Sequence, residues 1–112
     1  MNAQTMSYED LAAERAVLGA ILMDNSVLAN VQEVIVADDF ANQAHGQIFM
    51  AMVGLDSRQD KIDPLTLAEQ LKTEGRLASV GGPGYLSQLD QNVPFSQNAV
   101  DYARIIKNQA TR

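Results

Sequence analysis

Ser7-Tyr8-Glu9-Asp10-Leu11-Ala12-Ala13-Glu14-Arg15-Ala16-Val17-Leu18-Gly19-Ala20-Ile21-Leu22-Met23 is the stretch on which the fold class turns. Leu11, Leu18, Ile21 and Leu22 recur with the period of a helix rather than the alternation of a strand. Ser7 precedes that stripe and Asp10 stands three residues on, the pair that satisfies the first free amides of a helix. The helix is predicted to begin near Tyr8. It should end at Asp24-Asn25-Ser26, whose short polar side chains bond nearby backbone and so stop one helix and cap the next. The longest apolar run, Ala16 to Met23, is broken by Gly19 and bounded by Arg15 and Asp24. That is far short of the ~20 apolar residues of a membrane span. Gly19 costs about 1 kcal/mol relative to alanine inside a helix, which predicts a close helix-helix approach at that point.

The rest of the chain reads the same way. A second helix is expected to turn Val27, Leu28, Val31, Val34 and Ile35 inward. Val34-Ile35-Val36 is the chain's one β-branched run, and a single triplet cannot build a sheet, so it is read as a helix end. After Asp38-Asp39-Phe40, Ala44, Ile48, Met52 and Leu55 recur at helical spacing with Phe49 beside them, predicting a third helix over Gln43–Leu55. Asp63-Pro64 starts a fourth, because proline at the first helical position loses no hydrogen bond. Its inward residues are read as Leu65, Ala68 and Leu71, and Gly75 as its left-handed stop beyond Lys72. Gly81-Gly82-Pro83-Gly84 opens a short fifth helix with Tyr85, Leu86 and Leu89, closed by Asn92-Val93-Pro94. Ser96 is read as the cap of a sixth, with Ala99, Tyr102, Ile105 and Ile106 inward. Nothing stops that helix before Arg112, so it is expected to be open-ended and the polypeptide to continue.

The expected fold is therefore all-α, a single bundle of about six helices over residues 8–112 behind a disordered tail at 1–7, with a radius of gyration of roughly 13 Å. Leu18, Ile21, Phe40, Phe49, Leu71, Leu86, Leu89, Tyr102 and Ile106 are its expected core. With 112 residues, 46% of them hydrophobic and 20% charged, the composition is that of a folded domain. Met1 to Ser7 carries neither the basic start nor the apolar stretch of a secretory signal, and cysteine is absent. Both point to the cytoplasm.

The net charge of −6 is distributed unevenly. Through Ser57 eight acids face Arg15 alone, whereas from Arg58 onward seven bases face six acids. Nucleic-acid affinity comes mostly from neutralising phosphates, so tight direct DNA binding is not expected and basic protein partners are. Catalytic patterns are weak. Gly81-Gly82-Pro83-Gly84 has no following lysine, and Pro83 removes an amide that a phosphate would need, so it is read as a structural turn. His45 is the single histidine and is read as packing or capping. Asp38 and Asp39 stand at no recognised metal-ligand spacing from it and are read as solvated acids flanking a helix. A small metal-dependent hydrolase using Asp38, Asp39 and His45 is the rival those residues leave open. Met52 is expected inward, and Met50 nearer the surface, where a thioether can adapt to a partner.

Several local patterns, taken in order, resemble the N-terminal domain of the DnaB-type replicative DNA helicases of bacteria and their phages. They are Ala13-Glu14-Arg15-Ala16-Val17-Leu18-Gly19, then Asp38-Asp39-Phe40, His45 with Ile48-Phe49, and Ile62-Asp63 with Thr66-Leu67. Gly75-Arg76-Leu77, Gly81-Gly82 with Tyr85-Leu86, Pro94, Asn98, and Tyr102-Ala103 with Ile105-Ile106 continue the series to about Asn108. Ala41-Asn42-Gln43 and Phe95 depart from the family pattern. The resemblance implies an all-helical domain without ATPase activity, with ATP and magnesium belonging to a separate motor domain absent from this chain. It implies association with itself in dimers arranged as a trimer of dimers, and the reception of primase and the helicase loader. Val100, Ala103, Arg104 and Lys107 on the last helix are the candidate subunit contacts. A free-standing, phage-type mimic competing for the same partners is the alternative that uses the same residues.

Overall fold

Ser7 Oγ accepts the Asp10 amide at 3.0 Å and starts α1 (Tyr8–Met23). At its far end Asn25 Nδ2 donates to the carbonyls of Ile21 and Ile62, and Asn25 Oδ1 accepts the Ile62 amide, all within 2.9 Å. One side chain thus closes α1 and pins the segment before α4 to it. α2 (Val27–Gln32) is shorter than the sequence predicts. Val34 and Ile35 leave it in a turn bonded to the Val31 carbonyl, and Val36 is extended and exposed.

In the computed structural model, which describes residues 7–91, 93 and 95–111, the remaining helices are α3 (Gln43–Ser57), α4 (Pro64–Thr73), α5 (Gly82–Gln88) and α6 (Ala99–Ala110). Short 3-10 turns occupy Ala37–Asp39 and Ser96–Asn98. No strand occurs among the described residues. Residues 1–6 of the predicted tail, and Asn92, Pro94 and Arg112, lie outside the described residues, whereas Ser7 is the α1 cap. Among the described residues no helix is long and apolar enough to cross a membrane.

Asp63 and Thr66 form a reciprocal capping box at the start of α4, each side chain taking the other's amide at 2.8–3.0 Å. Gly75, at φ +74°, stops that helix with the Arg76 amide bonded to the Leu71 carbonyl at 2.8 Å. An Asp63→Ala variant is expected to lose about 1 kcal/mol and to melt several degrees lower by circular dichroism. An unchanged melt would refute the cap as a stabilising element.

α1 lies at the centre. α6 packs along it most extensively, α2 and α3 also contact it, and α4 bridges α3 to α5. The Cα radius of gyration is 12.9 Å. Leu18, Ile21, Phe40, Phe49, Leu71, Leu86, Leu89 and Ile106 are buried together, with Tyr102 half-buried against them. The Phe40 and Phe49 rings stand 5.2 Å apart, tilted.

Two inward faces differ from the reading of the sequence. On α4, Leu65 is 74% exposed and Leu67 is fully buried with Leu71. Residues 65 and 67 lie about 200° apart around a helix, so only one can face inward. On α6 the buried line is Ala99, Ala103 and Ile106, and Ile105 is exposed. Ser96 does not cap α6 but sits in the 3-10 turn ahead of it. Gly19 does sit at a close approach, against the chain leaving α5. A Cβ there would overlap the Leu89 carbonyl oxygen and Val93 Cγ2.

Candidate functional site

Glu14 lies on the same face of α1 as Leu18 and Ile21 and is fully buried. Its carboxylate collects four donors from three directions. Oε2 accepts the Ala41 amide at 2.8 Å and Gln109 Nε2, on α6, at 3.1 Å. Oε1 accepts the Asn42 amide at 3.3 Å and stands 2.8 Å from His45 Nδ1 on α3. On the other side of the imidazole, His45 Nε2 lies 2.6 Å from the Tyr85 hydroxyl on α5, the two rings stacked. Asn42 Oδ1 accepts the His45 amide and caps α3. Four helices therefore meet on one buried polar chain.

Burial pushes the Glu14 carboxyl up. The bonds from His45, Ala41 and Gln109, together with the attraction of His45, outweigh that and hold it below its ordinary value. Burial raises the Tyr85 phenol above its ordinary value, with Arg15 pulling the other way and Glu14 adding to the rise. An ionised Glu14 only accepts, so His45 Nδ1–H donates to Oε1, and the Tyr85 hydroxyl meets the other ring nitrogen.

A carboxylate, an imidazole and a hydroxyl in series is the order of a nucleophilic triad, but the geometry here is that of a lock. The hydroxyl is an aromatic phenol, and every polar atom of His45 is taken by a partner inside the bundle. His45, read from the sequence as packing or capping, is at 1% exposure the pivot of this lock. Glu14, Tyr85 and Gln109 were not singled out as its partners. The available signal was an acid falling on the apolar stripe of α1. Asp38 is exposed, whereas Asp39 is not the solvated acid expected of it. Its carboxylate accepts the Val36 amide at 2.9 Å and Lys107 Nζ at 3.2 Å. Among the described residues no three His, Cys, Asp or Glu side chains are grouped so as to hold a metal ion.

Among the surface clefts are two that flank α1 and α3. One, of about 310 Å³, lies between α1 and α5, with Arg15 and Tyr85 in its wall and the exposed Tyr8 at its edge. The other, of about 380 Å³, lies between the end of α2 and α3. The four predicted contact residues of α6 do not share one environment. Val100 is half-buried, Arg104 is exposed and paired with Asp101, and Lys107 is held by Asp39. Ala103 is fully buried within the protein's own core.

Fold and site together define a class: an all-helical domain whose buried polar groups hold helices to one another. The chain belongs to the DnaB-like helicase N terminal domain family, whose model matches residues 6–108. It is 35% identical over 102 residues to the replicative DNA helicase DnaB of Geobacillus stearothermophilus, covering 91% of this chain and 22% of that protein. It is 41% identical over 103 residues to the DnaB of Treponema pallidum, covering 92% and 24%. The chain thus spans about a quarter or less of the relatives it matches. Among solved structures, the N-terminal domain of DnaB helicase from Mycobacterium tuberculosis superposes with a TM-score of 0.87 at 37% identity, covering 90% of this chain and 73% of that one.

Proposed function

We propose that this chain is a non-catalytic assembly and docking domain of a bacterial-type replicative helicase, acting in the cytoplasm. In this reading it helps the helicase ring to form, through dimers arranged as a trimer of dimers, and receives primase and the helicase loader. ATP and magnesium chemistry belongs to the motor domain. The observation that carries the reading is the match of residues 6–108 to the helicase N-terminal domain. The uneven charge supports it, since a front half with eight acids and one base repels phosphate and favours basic protein partners.

Titration with a primase C-terminal domain, followed by calorimetry, tests the docking role. Saturable binding by this chain is the expected result. Absence of binding would refute it.

A further inference from the structure

The α2–α3 cleft differs from the rest of the surface in being almost wholly apolar. Ile35 and Phe49 form its buried floor, and Val36 and Met50, 59% and 54% exposed, stand at its mouth with Val53 and Gly54 alongside. Its wall is rigid. The Val36 amide donates to Asp39 Oδ2, the Asp39 amide returns to the Val36 carbonyl at 3.0 Å, and Asp39 is in turn held by Lys107 on α6. The groove is therefore shaped before anything enters it, which spares a partner the cost of ordering it. Met50 supplies the adaptable lip.

The segment that builds both walls, from Asp24 to Ser57, contains Asp24, Glu33, Asp38, Asp39 and Asp56 and not one lysine or arginine. Of these, Asp39 is paired with Lys107. Glu33 and Asp38 are exposed on the α2 side and Asp56 is exposed on α3, two residues beyond Gly54. Lys107 reaches this side only through its pair with Asp39, and Arg76, half-buried beyond Met50, stands 4.0 Å from Glu74. An acidic rim disfavours nucleic acid and anionic lipid. It also disfavours the same face of a second copy, which would set acid against acid. What it fits is an amphipathic helix, with apolar side chains for the groove and lysine or arginine on its flanks.

We propose that the α2–α3 groove is a docking site for one amphipathic, basic-flanked helix of a partner protein, seated between Val36 and Met50. The proposal rests on the docking role above and assigns a place to one such partner.

The probe is a labelled synthetic helical peptide with leucines at i, i+3 and i+7 and lysines on both flanks, read by fluorescence anisotropy. Saturable binding to this chain is expected, weakened about tenfold or more by Met50→Arg and retained by Met50→Leu. Leu65→Arg, the same charge change on the exposed face of α4, should leave it unaltered. Equal binding to Met50→Arg and to the parent chain, or equal loss in Leu65→Arg, would overturn the groove. So would a peptide with glutamates in place of the lysines binding as well, or a sedimentation shift showing that Met50→Arg dissociates a self-dimer. A primase titration run in parallel separates the two claims. A parent chain that binds primase while the peptide ignores Met50→Arg refutes the groove alone, whereas failure of the primase titration refutes the broader docking role.

Discussion

Glu14→Ala is expected to lower the unfolding free energy by about 3–5 kcal/mol, the scale for removing one partner from a buried charged network. Four donors lose their acceptor at once: the Ala41 and Asn42 amides, Gln109 Nε2 and His45 Nδ1–H. Each buried donor left unpaired costs about 1–3 kcal/mol, and relaxation around the cavity recovers only part of the sum. A domain of this size has a total stability of roughly 5–15 kcal/mol, so the variant should be near the edge of folding. Urea unfolding followed by circular dichroism measures it, and a loss below about 1 kcal/mol would show that the lock contributes little.

The same group contributes to the acid sensitivity of the fold. The Glu14 carboxyl is held below its ordinary value of 4.5 in the folded chain. The unfolded chain therefore binds its proton first as pH falls, and stability decreases with it. The contribution is complete above the unfolded carboxyl's range and is lost as pH falls through the lower folded value. A Glu14→Gln variant, already neutral, should be less stable than the parent at neutral pH and lose less on acidification from about pH 5 to pH 3. Parallel slopes for parent and variant would assign the acid sensitivity to other carboxyls.

The helices were legible because their ends carry strong local chemistry. Ser7, Asp63 and Gly75 act at the places their types predict, through bonds within four or five residues of sequence. Which face turned inward was less legible in the short helices. In α4 and α6 two apolar lines compete, and the choice between Leu65 and Leu67, or Ile105 and Ala103, is made by neighbours far away in sequence. Ala103 shows why: a small residue takes the fully buried place while the larger Ile105 is left exposed, which hydrophobic periodicity does not register. α3 runs past its expected end to Ser57 because Gln59, at φ +62°, does the work of a terminal glycine. The Glu14–His45–Tyr85 chain joins residues 31 and 40 positions apart, so no local pattern contains it. Its trace was an acid and a lone histidine, each within an apolar line.

A pair of glycine substitutions should move stability in opposite directions. Alanine in place of glycine within a helix ordinarily gains up to about 1 kcal/mol, by reducing the freedom of the unfolded chain and improving helix propensity. At Gly54 of α3 the nearest outside atom to an added Cβ is the side-chain Nε2 of Gln70, 3.9 Å away, so Gly54→Ala should realise that gain. At Gly19 the added Cβ would meet the Leu89 carbonyl and Val93, and a backbone carbonyl cannot rotate aside as a side chain would. The chain leaving α5 must shift, at an overpacking cost near the upper end of the usual 1–3 kcal/mol, so Gly19→Ala should be destabilised by about 2 kcal/mol net. The shift also reaches the lock, because Leu89 ends the helix that carries Tyr85. Displacing it should lengthen the 2.6 Å contact between Tyr85 and His45 Nε2 and move the His45 imidazole resonances in NMR spectra, while Gly54→Ala leaves them in place. If Gly19→Ala proves as stable as the parent, with the His45 resonances unmoved, then α5 is not held against α1 by backbone contact.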